Sequence, residues 1–341
     1  MNYSENKHIN NILKKLDENN YKGMIIADFN NIQYLTGYLP TSFAFLVLNE
    51  NPTVYVADMD MEIAEKTSKV NIEKFISFTE LLSNLEKGDY AIESNLLVDY
   101  YLKFNNDLNL KVENYVNEER MIKSDNEIDL IDKALNIAHK SLLELDVRDK
   151  QIKGLSEWEL AYELGYLMRE NGASCESFDT IVASGENSSL PHSLVSNKQL
   201  DPHILIDFGC KYKGYCSDTT RTYPYTEREN EIFDIVLEAY NTGVKSVKTG
   251  IKACEVDKKV RDVITEYGYG DKFIHSTGHS LGLDIHELPS VSIKSNTILE
   301  DNMVITIEPG IYLKGEFGVR IEDTVQIKSQ ANVLGNLPLK L

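Results

Sequence analysis

The chain has 341 residues, 42% hydrophobic and 26% charged, which suits a globular protein of two domains with ample core. A formal net charge of −19 argues against nucleic acid as a partner, because phosphate binding needs clustered Lys and Arg. No apolar run reaches the roughly 18 residues a membrane span requires, and Met1–His8 has no apolar core of a secretory signal.

In chain order, Glu5 to Asn19 reads as a first helix with Ile9, Ile12, Leu13 and Leu16 on one face. Gly23–Asp28 reads as a buried strand, Phe43–Leu48 and Thr53–Ala57 as a hairpin, and Asn31–Gly37 lies between them. Met59–Lys66, Phe78–Leu85 and Leu96–Phe104 read as helices, Ile72–Ile76 and Asp89–Glu93 as strands. This alternation predicts a small α/β domain over residues 1–120. It contains no catalytic constellation. A second domain is expected over 124–341. Ser124-Asp-Asn-Glu127, Ser156-Glu-Trp-Glu159 and Thr226-Glu-Arg-Glu229 are capping-box patterns, in which side chains at both ends satisfy free backbone N–H groups. They open helices running to about Leu145, Asn171 and Val247, and Glu255–Tyr267 reads as a fourth. A strand is expected near Thr180–Ala183, followed by the loop Ser184–His192.

Two β-rich segments carry carboxylates. Ile204-Leu-Ile-Asp-Phe-Gly209 and Tyr215-Cys-Ser-Asp-Thr-Thr-Arg221 read as a hairpin folding about Tyr212 and Lys213, which sets Asp207 roughly opposite Asp218. Met303–Glu308 and Val319–Ile327, folding about Gly315, set Glu308 opposite Glu322. Each hairpin follows two helices, so the order of elements suggests two pseudo-symmetric halves whose carboxylates share a crevice. Buried carboxylates must hold a proton, pair with a cation or bind a metal. Four acids with one or two imidazoles suit two divalent ions. The alternative is exposed acids or Asp–Arg bridges, for which Arg221 and Arg320 are near. His275, His279 and His286 fall within twelve residues. This is not the H-E-x-x-H helix of a zinc protease, since Ser276 stands at the glutamate position and Gly278 and Gly282 favour turn or strand. His8, His139 and His203 read as surface or hydrogen-bonded core residues. Cys175, Cys210, Cys216 and Cys254 have no C-x-x-C spacing and read as reduced thiols in a cytoplasm. Cys210 and Cys216 are expected to face one another across the first hairpin without a structural disulfide.

Five motifs in order carry a family resemblance: Ile206-Asp-Phe-Gly209, Gly214–Thr222, Thr277–Glu287, Ile307-Glu-Pro-Gly-Ile-Tyr312 and Gly318-Val-Arg-Ile-Glu-Asp323. The chain resembles the pita-bread metallopeptidases, specifically their Xaa-Pro peptidase branch of prolidase and aminopeptidase P, over Ser124–Leu341. The N-terminal part, including Asn31–Gly37, resembles that branch's creatinase-like domain. The resemblance implies an α+β pita-bread catalytic domain preceded by a smaller α/β domain. It implies a metal set of Asp207, Asp218, His279, Glu308 and Glu322, with Asp218 and Glu322 bridging two divalent ions. It assigns His286 to the tetrahedral intermediate, and Glu308 to proton transfer from a metal-bridging water to the leaving nitrogen. His192, His275, Tyr312 and Arg320 become candidates for the substrate pocket. Oxygen-rich ligation favours a hard ion such as Mn²⁺, with Co²⁺, Zn²⁺ and Fe²⁺ as alternatives. The implied substrates are Xaa-Pro dipeptides or short proline-containing peptides. The compact length leans to a dipeptidase over an aminopeptidase P that takes longer Xaa-Pro-Xaa chains, and a homodimer is implied. A methionine aminopeptidase shares fold and ligands but lacks the extra N-terminal domain and the Ser189-Leu-Pro-His192 form of the histidine motif. A metal-free creatinase-like hydrolase and a catalytically inactive pita-bread binding protein fit less well, because the ligand set is complete.

Overall fold

A computed structural model describes residues 6–341. Glu5, the first residue of the expected opening helix, and Met1–Ser4 lie outside them. The described residues form two compact units, residues 6–120 and Met121–Leu341.

The first unit is a six-stranded sheet flanked by helices. Its elements are α1 (Lys7–Glu18), β1 (Gly23–Ile26), α2 (Phe29–Thr36), β2 (Ala44–Leu48), β3 (Thr53–Val56), α3 (Met61–Thr67), β4 (Asn71–Lys74), α4 (Phe78–Ser83), β5 (Asp89–Ile92), α5 (Val98–Asn105), β6 (Asn109–Val112) and α6 (Tyr115–Glu119). The strand order is β4-β3-β2-β1-β5-β6. Asn31–Gly37 is resolved as a helix that the sequence reading leaves unassigned. The Asp28 carboxylate accepts from Asn31 N at 3.0 Å to start it, and Gly37, at φ 80°, ends it. β6 and α6 are also additions. β6 is short and largely exposed, and its alternation, Leu108-Asn-Leu-Lys-Val112, spans only five residues.

The second unit contains α7 (Asp125–Leu145), α8 (Val147–Ile152), α9 (Glu157–Glu170), β7 (Cys175–Glu176), β8 (Ile181–Ser184), β9 (Ile204–Phe208), β10 (Cys210–Tyr212), β11 (Tyr215–Cys216), β12 (Thr219–Tyr223), α10 (Glu227–Ser246) and α11 (Ala253–Glu266). It closes with β13 (Gly278–Ser280), β14 (Glu287–Val291), β15 (Val304–Ile307), β16 (Gly310–Leu313), β17 (Phe317–Arg320), β18 (Asp323–Gln326) and β19 (Asn332–Val333). All three capping boxes form, at Ser124, Ser156 and Thr226. Each such cap is worth about 1 kcal/mol of helix stability. Two apolar cores reproduce the expected halves. One packs α7 and α9 against β8, β9 and β10, through Leu142, Leu164, Val182 and Ile206. The other packs α10 and α11 against β15 and its neighbours, through Phe233, Val260, Ile305 and Val325.

The first hairpin departs from its expected register. Tyr212 pairs with Tyr215, so the turn is Lys213-Gly214. Both residues have positive φ, 49° and 91°, the geometry of a two-residue type I′ turn that matches strand twist. The ladder therefore sets Asp207 opposite Thr220, not Asp218. Cys210 and Cys216 are likewise not paired across it, and all four cysteines are free thiols. The second hairpin keeps the expected register, but the expected strand Val319–Ile327 is two strands. Gly310 pairs with Arg320 in β16–β17, and Ile307 with Asp323 in β15–β18.

Candidate metal centre

Strand parity brings the carboxylates together. Asp207 faces Thr220, and Asp218 lies two residues before Thr220, so all three share one face of the sheet. Gly209 permits this: the hairpin crosses from one sheet to another there, and any Cβ would run into the Ser217 backbone carbonyl. On the second hairpin, Glu308 and Glu322 occupy the unpaired step between the two ladders, opposite each other. A bridge between Thr220 and Glu322 joins the halves. His279 enters from β13, whose Gly278 lies so close to the Thr306 carbonyl that no side chain would fit.

One oxygen or nitrogen each from Asp218, His279 and Glu322 lie within 4.8 Å of one another. His279 Nδ1 lies 3.1 Å from the Ser280 carbonyl oxygen and so carries the proton. Its Nε2 lone pair then looks between Asp218 Oδ2, at 3.5 Å, and Glu308 Oε1, at 3.6 Å. Burial, reinforced by Asp207 and Glu308, pushes the Asp218 carboxyl well above its ordinary range. Burial and the same crowding, with Asp218 foremost, push Glu322 up. Burial raises Glu308 to about 7, against the opposing pull of Arg320. Burial lowers His279, keeping the imidazole neutral.

Neutral donors and one cation hold this set. Thr220 Oγ1 donates to Glu322 Oε2 at 2.7 Å, and Thr306 Oγ1 to Glu308 Oε1 at 3.3 Å. Arg320 donates through Nη2 to Asp207 Oδ2 at 2.6 Å, through Nε to Thr220 Oγ1 at 3.0 Å, and through Nη1 to the Tyr312 hydroxyl at 2.7 Å. The Tyr312 hydroxyl in turn donates to His275 Nε2 at 2.9 Å, since His275 Nδ1 faces the Ser276 carbonyl at 2.8 Å. Burial, aided by Arg320, drives His275 down to about 3. Arg221, the other arginine near these acids, instead pairs with Asp323 at 2.7 Å and donates to the Glu322 carbonyl at 2.6 Å, fixing the second hairpin to the first.

A cavity of about 1030 Å³ opens over these groups. Asp207, Asp218, His279, Glu308, Glu322, His192, His275, His286 and Arg320 line it; Tyr312 does not. His286 and His192 are exposed on its wall, and the His286 ring lies 4.4 Å from that of His279. Burial and the neighbouring His279 depress His286. Thr220 and Thr306 are functional neighbours that motif reading passes over. Strand parity would have found Thr220, two residues from Asp218.

The donor set fits divalent cations. Asp207 Oδ1 is buried with no hydrogen-bond partner, and such an orphan carboxylate oxygen is costly unless a cation takes it. The His279 tautomer leaves its inward nitrogen unprotonated, and a backbone carbonyl fixes that choice, as is usual for ligating imidazoles.

Comparison with known proteins agrees with the fold. Residues 129–329 match Metallopeptidase family M24, and residues 8–122 match the Creatinase/Prolidase N-terminal domain. The chain belongs to metallopeptidase family M24, with a creatinase-type N-terminal domain before a pita-bread α+β domain. An Xaa-Pro dipeptidase of Pyrococcus horikoshii is 39% identical over 333 residues, covering 94% of each chain. Among solved structures, an Xaa-Pro dipeptidase from Bacillus anthracis superposes with a TM-score of 0.93 at 33% identity, covering 100% of this chain and 99% of the other. An X-Pro aminopeptidase from Thermotoga maritima superposes with a TM-score of 0.88 at 31% identity, covering 98% of each. Among the described residues no helix is long and apolar enough to cross a membrane.

Proposed function

We propose that this protein hydrolyses the peptide bond before proline in Xaa-Pro dipeptides, using two divalent ions, Mn²⁺ foremost. Asp207, Asp218, His279, Glu308 and Glu322 would hold the ions, with Asp218 and Glu322 shared between them. The supporting observation is the convergence of Asp218, Glu308 and Glu322 on an imidazole nitrogen fixed in its unprotonated form, in a cavity also lined by Asp207, which has a buried carboxylate oxygen without a partner. Cations held there would polarise the scissile carbonyl and make a water acidic enough to attack it near neutral pH. Glu308, lining the cavity beside His279, is placed to take a proton from the attacking water and return it to the proline nitrogen. His286, exposed on the cavity wall, donates to the carbonyl oxygen as it gains charge. His192 and His275 line the space in which the substrate would lie.

Arg320 acts as a positioning residue in this reading. Its guanidinium nitrogens donate to Thr220, Tyr312, the Pro191 carbonyl and Asp207, so it holds Asp207 and Tyr312 in place. A second reading, cleavage of longer Xaa-Pro-Xaa peptides, is favoured by the size of the cavity, which extends to the stacked rings of Trp158 and Tyr162. A homodimer acting in the cytoplasm completes the proposal. The test is hydrolysis of Xaa-Pro and Xaa-Pro-Xaa peptides side by side, after chelation and again after adding back Mn²⁺, Co²⁺ or Zn²⁺. Higher kcat/KM on the dipeptides supports the first reading and higher kcat/KM on the tripeptides the second. No cleavage of either with any of these metals would sink both.

A further inference from the structure

His286 sits at the end of a tight loop, residues 281–286, between β13 and β14. The ladder closes on either side of it with Ser280 opposite Glu287, after a register shift between His279 and Ser280. The loop is wrapped around a carboxylate. Glu287 Oε1 accepts from Asp284 N at 3.1 Å, and the same carboxylate lies against Gly282, where an added Cβ would collide with both of its oxygens. Gly282 N also donates to the Asp284 carbonyl at 3.0 Å, which tightens the turn around it.

The counter-charge comes from far away in sequence. Lys123 Nζ lies 3.1 Å from Glu287 Oε2 and 2.9 Å from Ser280 Oγ, so one ammonium ties both ends of the loop. The side chains of Lys123 and Glu287 are 1% and 6% exposed. Lys123 is itself anchored: its N–H donates to the Asn302 carbonyl at 3.0 Å, and Ile122 bridges to Met303 just before β15. A lysine this deeply buried costs stability unless its charge is met, and the ion pair stands only while both partners are present. Ser280 is also the residue whose carbonyl oxygen fixes the His279 tautomer. The Lys123–Glu287 pair thus abuts two groups of the candidate centre, His286 through the adjoining backbone and His279 through Ser280.

We propose that Lys123 is a positioning residue: its ion pair with Glu287 holds the 281–286 loop so that His286 points at the reacting carbonyl. The functional part rests on the role given to His286 above. The loop part does not. Removing one partner deprives the other's buried charge of this counter-charge, whereas removing both charges deprives neither. That asymmetry separates positioning from bulk packing.

The experiment uses the full-length protein loaded with Mn²⁺ and compares wild type with K123M, E287Q, K123M/E287Q, H286A and K123M/H286A. Fold and metal content are checked by circular dichroism and metal analysis. K123M is expected to lower kcat on an Xaa-Pro dipeptide by about 30- to 100-fold while KM moves less than about threefold, because the lost interaction acts in the transition state. K123M/E287Q should recover at least about tenfold of that loss, the signature of a coupled pair. In the H286A background, K123M should cost less than about threefold more, since its effect runs through His286. Amide hydrogen exchange of residues 281–287 should quicken in K123M and return towards wild type in the double charge variant, with α7 and α10 unaffected. Kinetics within twofold of wild type in K123M, losses that add fully on H286A, or unchanged exchange in the loop would each overturn the proposal. If wild type cleaves no Xaa-Pro peptide, the proposed activity is wrong, and the exchange arm still decides whether the pair holds the loop.

Discussion

In the first hairpin Asp207 faces Thr220, with Asp218 on the same face two residues away, whereas in the second Glu308 and Glu322 face each other across an unpaired step. The supports also differ. Asp207 on the first hairpin is held by Arg320 from the second, a cation. Glu322 on the second is held by Thr220 from the first, a neutral hydroxyl. Each half supplies the donor for the other half's acid, so neither carboxylate pair is complete within its own half. The compensation is unequal: one oxygen of Asp207 already meets a full positive charge, while Asp218, Glu308 and Glu322 are pushed towards protonation by burial and mutual repulsion. A divalent cation would relieve the second group far more than the first.

The sharpest way to break this comparison is to remove the charge that faces both halves. Asp218→Asn should lose at least one metal per chain and lower turnover by more than about 10³-fold with the fold intact. Metal analysis and peptide hydrolysis check it, and a variant that keeps both ions and full turnover refutes the shared role. Next in size is the contrast between the two cross-ties. Arg320→Met should weaken metal affinity or kcat by about 10- to 100-fold, as loss of a charged group behind a ligand does, and Thr220→Val by only a few fold. Equal losses, read by metal titration and kcat together, would show that the two ties are equivalent.

The smallest effect is a pH dependence of the metal-free protein. Glu308 moves from an ordinary 4.5 to about 7 in the folded state, and Asp218 and Glu322 move in the same direction. Between those values the folded chain binds more protons than the unfolded chain, so stability present at low pH is lost as pH rises through about 7. In chelator, the melting temperature should therefore fall by on the order of several degrees from pH 5 to pH 8. Added Mn²⁺ should reverse the trend, because metal displaces those protons and binds better as pH rises. A melting temperature that climbs over this range in chelator would contradict the arrangement of charges.

Much of this was legible in residue order. Capping boxes at Ser124, Ser156 and Thr226 announced the long helices because a cap is a local bargain between neighbouring residues. The repeated order of helices and carboxylate-bearing strands announced two halves, and the spacing about Gly315 set Glu308 against Glu322 correctly. The turn at Lys213-Gly214 was misplaced by one residue, because two successive positive φ angles, one in a lysine, leave little mark in composition. What the sequence by itself determined was which residue types recur on which strands, since alternation and capping act over a few residues. Only the tertiary structure decided that Arg320 is spent on Asp207 and Tyr312, that Thr220 serves Glu322, and that Lys123 reaches Glu287 across 164 positions. Those choices depend on which buried charge meets which donor once two hairpins close on one crevice, and desolvation makes each such meeting decisive.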